Sequence, residues 1–133
     1  MFFECPLLIT ADRSKAEPAT VDAVLCSGVI EMVAVQFPAG CSGMVNVSIW
    51  RGGHPLWPTN IDEAFTGEDA IISFPESYDL TEPPYTLEIR GWSPDTTYDH
   101  TVTVRFTIRP LLPIGAEAIM EAVGLTLADI MGW

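Results

Sequence analysis

The alternation in residues 85–109 constrains this chain most. Val102, Val104, Phe106 and Ile108 alternate with Thr101, Thr103, Arg105, Thr107 and Arg109. Just before them, Tyr85, Leu87 and Ile89 alternate with Thr86, Glu88 and Arg90. A side-chain period of two marks a strand with one face in a core and the other in water. The segments 85–92 and 100–109, joined by the polar loop 93–99, are expected to pair as an antiparallel hairpin. Its apolar face then needs a second layer to cover it.

The remaining strands are shorter. Residues 2–10 read as an edge strand, because Pro6 cannot donate to a ladder. Residues 19–27 alternate until Gly28 breaks them. Residues 29–37 are apolar on both faces except at Glu31 and Gln36, as in a central strand. In 44–50, Val45, Val47 and Ile49 face in while Asn46, Ser48 and Trp50 face out. Arg51-Gly-Gly-His54 is a hairpin-turn signal, because glycine accepts the positive φ such turns need. A short return strand follows at 55–58, and another at 70–74. Residues 59–69 read as a polar, acidic loop, and 76–84 as a second loop. Seven or eight short strands with regular turn signals predict an all-β, antiparallel β-sandwich of jelly-roll type, with a small closed barrel as the alternative.

The chain changes character after residue 110. Residues 115–123 are compatible with a helix that carries Ile119, Met120 and Val123 on one stripe. Gly124 sits where a C-cap glycine belongs. Thr126-Leu-Ala-Asp129 resembles a capping box, followed by Ile130, Met131 and Trp133. The expected organisation is a β domain over 1–110 and a helical tail over 111–133.

Charge excludes some functions. Of 133 residues, six are Lys or Arg and 18 are Asp or Glu, for a net charge of -12. Nucleic-acid binding needs cations to replace phosphate counterions, so no direct nucleic-acid partner is expected. An anionic membrane surface is disfavoured for the same reason. The apolar N-terminus lacks a basic segment and a cleavage site, and no stretch is long enough for a membrane helix. The expectation is a soluble protein made in the cytoplasm.

Chemical signatures are few. Cys5, Cys26 and Cys41 have no Cys-x-x-Cys spacing, so a zinc site is not expected. They read as small buried hydrophobes, with a Cys26–Cys41 disulfide as the open alternative. Residues 62–69 offer carboxylates to a divalent ion but lack EF-hand spacing, and a solvated loop is the simpler reading. His100 lies near Asp99, Ser93 and Thr101, yet sequence neighbours do not make a triad and there is no nucleophile elbow. No cofactor and no enzymatic activity are expected.

Two groups of apolar residues suggest binding. Trp50, Trp57 and Trp92 fall on strands or their ends, where they suit a protein interface, a sugar-stacking platform or a covered core. Met1, Phe2 and Phe3 at one end, and Leu127, Ile130, Met131 and Trp133 at the other, are apolar where termini are usually polar.

The stretches Gly28-Val-Ile, Val33-Ala-Val-Gln-Phe-Pro38, Gly53-His-Pro-Leu-Trp-Pro-Thr-Asn60 and His100-Thr-Val-Thr-Val-Arg105 together resemble small β-sandwich structural proteins of bacteriophage particles. Capsid cement, decoration and minor capsid proteins are of this kind. The resemblance covers residues 28–110 and brings no catalytic residues with it. It implies a virion role. With the apolar termini and exposed aromatics as the binding surfaces, the expectation is a non-enzymatic, self-associating virion protein that decorates a capsid or tail lattice together with other virion proteins. The alternative is a carbohydrate-binding or adhesin module that uses the surface tryptophans.

Overall fold

The computed structural model describes residues 1–60 and 62–110. They form strands β1 (Phe2–Ile9), β2 (Ala19–Val24), β3 (Gly28–Phe37), β4 (Asn46–Arg51), β5 (His54–Trp57), β6 (Phe65–Thr66), β7 (Ala70–Leu80), β8 (Thr86–Trp92) and β9 (His100–Pro110). The first sheet has the order β1-β9-β3-β7, and the second β2-β8-β4-β5 with β6 also beside β4. Apart from β6, the pairing is nested: β1 with β9, β2 with β8, β3 with β7 and β4 with β5. That is one long antiparallel hairpin rolled into two layers, the winding of a jelly roll. The predicted sandwich is present, and the closed barrel is not.

The expected hairpin between 85–92 and 100–109 does not form. β8 lies in the second sheet and β9 in the first. Each strand has an apolar row, and the two rows enter the same core from opposite layers. Leu87 and Ile89 come from one side, and Val102, Val104, Phe106 and Ile108 from the other. The segment 93–99 crosses between the sheets. It is pinned by Ser93 Oγ–H to Thr10 O (3.1 Å), by Asp12 N–H to Thr96 Oγ1 (3.0 Å) and by Ala11 N–H to Asp99 Oδ1 (2.8 Å).

Two other expectations change. β7 runs on to Leu80 through residues read as a loop, because Tyr78 and Leu80 pair with Ile30 and Gly28 of the central strand β3. Pro75, Glu76, Ser77 and Asp79 are poor strand formers, and the sheet overrides their preference. The acidic stretch contains the short strand β6. The helix expected at residues 115–123 and the capping box at 126–129 lie outside the described residues.

Details of β3 explain its mixed pattern. A bulge between Ile30 and Met32 appears in its ladders with both neighbours. Against β9 the extra residue is Glu31, so Ile30 and Val33 both reach the core although they are three apart. Against β7 the extra residue lies on β7, where Glu76 and Ser77 span the place of Glu31. Close approach of the sheets depends on Gly91. A Cβ there would lie 2.4 Å from Ile9 Cδ1 and 2.9 Å from Leu7 Cδ2. The β4–β5 turn has positive φ at Gly52 and Gly53, as the Gly-Gly pair predicts.

Both free edges of the first sheet are interrupted by proline. Met1 and Ile108 exchange backbone hydrogen bonds, with Ile108 N–H donating to Met1 O at 2.7 Å and the Met1 amino group donating to Ile108 O. Bonded pairs recur every second residue, so Phe2, Glu4, Pro6 and Leu8 turn their backbone groups to the open edge. Carrying the same parity across β9 and β3 makes Val33–Phe74 and Val35–Ile72 bonded pairs. Ile71, Ser73 and Pro75 therefore face outward on β7. Pro6 and Pro75 each remove a donor in mid-edge, which blunts strand addition.

Candidate functional site

Two outer surfaces carry side chains that the core does not account for. The first is the outer face of the first sheet. One register row crosses all four strands as Phe2, Thr107, Met32 and Pro75. Phe2 is 64% exposed and Met32 45%. Leu8 and Ile71 lie exposed on the same face. Two of the acidic side chains there are matched: Arg105 meets Glu4 at 2.9 Å and Arg109 meets Glu31 at 2.9 Å.

The second surface is a cleft of about 150 Å³ on the outside of the second sheet. Pairing of β4 with β8 sets Asn46 opposite Trp92, Ser48 opposite Arg90 and Trp50 opposite Glu88. All six point away from the core by strand parity. Trp50 donates its indole N–H to Ser48 Oγ at 2.8 Å. The Arg90 guanidinium lies 4.1 Å from the Trp50 ring centre and is paired with Glu88. Lys15 sits 5.5 Å from the Trp92 ring centre and 3.6 Å from an Asp62 oxygen. Lys15 and Asn60, from the loops beside β2 and β5, line the walls of the cleft.

The predicted binding residues are thus dispersed. Met1 and Phe2 are exposed, and Phe3 packs partly on the core. Trp50 is half-buried. Trp92 is outward by parity but buried, with Lys15 beside its ring. Trp57 is not a surface residue. Its ring faces Phe74, Tyr78 and Phe106, with centroids 6.2, 5.7 and 6.4 Å away. A register shift between Ile49 and Trp50 sets Trp57 opposite the inward-facing Ile49. Sequence parity gave no sign of this. Leu127, Ile130, Met131 and Trp133 lie outside the described residues. Met32 and Ile71 were missed, because exposed apolar residues in a strand read as core until the bulge and the edge are known.

The Trp57 indole N–H donates to Glu76 Oε2 at 2.8 Å, and the Ser77 N–H donates to Glu76 Oε1 at 2.9 Å. The Ser77 bond first, then the Trp57 bond, holds the Glu76 carboxyl below the usual glutamate range.

The residues around His100 do not assemble a nucleophile and its base. Ser93 Oγ–H is committed to Thr10 O, and an Asp99 oxygen accepts from Ala11 N–H. Burial, and after it the nearby Glu4 or Glu68, pushes the Cys5 and Cys41 thiols up. Raised thiols are poor nucleophiles. The three cysteines are free. Among the described residues, no three His, Cys, Asp or Glu side chains converge as metal ligands. Glu68 instead accepts from Gly40 N–H, and Asp62 pairs with Lys15. No helix among the described residues is long and apolar enough to cross a membrane.

No protein-family model matches the chain, and no curated protein matches it. Several solved structures are similar to it in part. One is from a study of Bacillus endospore appendages, described as disulfide-linked pili. It has 17% identity over 82% of this chain and 88% of that one, with a TM-score of 0.38. The exo-β-1,3-galactanase of Phanerochaete chrysosporium has 15% identity over 80% of this chain but 27% of its own, with a TM-score of 0.41. The protein FLHE has 12% identity over 82% and 96%, with a TM-score of 0.38. None of these descriptions names a viral capsid protein. Likeness at this level carries no argument.

Proposed function

We propose that this protein is a non-enzymatic structural subunit that pairs with a second copy of itself through the outer face of its first sheet, and through further contacts joins a viral capsid or tail lattice. The observation that carries the self-association is the row Phe2–Thr107–Met32–Pro75, with Phe2 and Met32 exposed, and the exposed Ile71 and Leu8 further along the same face. Several large apolar side chains exposed on one sheet face mark an interaction site. Charge favours a second copy as the occupant. Two chains of net charge -12 repel each other, and the repulsion is least where Glu4 and Glu31 are already matched by arginines. The proline-interrupted edges favour face against face over strand addition. Such a contact uses the same patch on both copies and closes as a two-fold dimer.

The virion setting rests on the resemblance of residues 28–110 to phage structural proteins. Jelly rolls serve both in viral capsids and in lectins, so the winding alone does not choose a role.

The test is the double substitution Phe2→Ser with Met32→Ser, followed by size-exclusion chromatography with light scattering. The variant should keep the far-ultraviolet β spectrum and lose association, with its dissociation constant raised at least about tenfold. Association unchanged in a folded variant would sink the proposal.

A further inference from the structure

We infer that the cleft between Trp50 and Trp92 binds one ring of a neutral saccharide, a site separate from the self-association face. The two indoles stand at either end of a short floor. Their rows, Trp50/Glu88 and Asn46/Trp92, are four residues apart, which places them roughly 13 Å apart along the strands. Between them lies the pair Ser48 and Arg90. A pyranose ring has an apolar C–H face that packs on an indole and a rim of hydroxyls that needs donors and acceptors. Here the half-buried Trp50 supplies the first, while Trp92, buried with Lys15 over its ring, closes the far end. Lys15, Asn60 and Arg90, with Asp62 and Glu63 on the rim, supply the second.

Several features make this a built site. The Trp50 ring is fixed by its bond to Ser48 and by Arg90 across its face. Arg90 is itself held by Glu88. An indole oriented from two sides keeps its remaining surface in one place, which lowers the ordering cost of binding. The volume, about 150 Å³, is below that of pockets for drug-sized ligands and suits a single ring, with the rest of a chain running out of the open ends.

Charge selects a neutral ligand. Lys15 and Arg90 are offset by Asp62 and Glu63 on the same rim. The surrounding field of a -12 chain opposes an anionic sugar acid or a phosphate. The cleft also lies on the second sheet, so a dimer made through the first sheets leaves both clefts facing outward.

The test is isothermal titration of the full chain with hexasaccharides of glucose, galactose, mannose and xylose, and with hexagalacturonate as the charged control. At least one neutral hexasaccharide should bind, and hexagalacturonate should bind more weakly. Trp50→Ala and Asn60→Ala should each weaken binding at least about tenfold. Asn60 is an exposed loop residue, so its variant keeps the test open if Trp50→Ala does not fold. Phe2→Ser with Met32→Ser should leave saccharide binding unchanged, which separates this site from the association face. The inference fails if no neutral hexasaccharide binds at about 10 mM, if hexagalacturonate binds best, or if Asn60→Ala binds as the parent does.

Discussion

Replacing Phe106 with alanine should destabilise the protein by about 3–5 kcal/mol, the cost of removing a large buried aromatic and leaving a cavity. Phe106 is fully buried on β9, between the edge strand β1 and the central strand β3. Its ring meets Trp57, which arrives from the other sheet. The ring therefore touches both layers, and nothing nearby can collapse into its place without drawing the sheets together. Thermal unfolding followed by circular dichroism should show a midpoint lower by on the order of 10–25 °C. A fall of only a few degrees would mean that the two sheets are not joined through this contact.

Restoring the missing edge donors should change how the protein assembles. In Pro6→Val with Pro75→Thr, both free edges of the first sheet regain an unbroken row of N–H groups. With four alternating strands, copies set side by side in one orientation bring β7 antiparallel to the next β1. That contact is head-to-tail and does not close, so it extends indefinitely. The double variant should form elongated or insoluble assemblies under conditions where the parent stays small, as seen by light scattering and electron microscopy. An unchanged particle size would show that the prolines do not guard the edges.

Much of this fold was legible because alternation reports burial directly. The inward rows of β4, β8 and β9 follow from it, as do the edge position of β1 at Pro6 and the central position of β3. The partner of each strand was not legible. Tyr85 to Arg109 reads as a hairpin because neighbours in sequence usually pair. In a rolled hairpin they face each other across the core instead, and the strand period is the same in either case. β7 was half hidden, since Pro75, Glu76 and Asp79 argue locally against a strand that β3 holds in place. The cleft was visible only in outline. The outward parity of Trp50 and Trp92 could be read, but Lys15 and Asn60 come from loops whose path depends on tertiary contacts. Trp57 went the other way, into the core, through a register shift with no local signature.

The most direct measurement is sedimentation equilibrium of the unmodified chain over a range of concentrations. Face-to-face pairing of the first sheets predicts a mass that rises with concentration towards twice 14.5 kDa and stops there. A mass that stays at 14.5 kDa throughout, or climbs without limit, would contradict it.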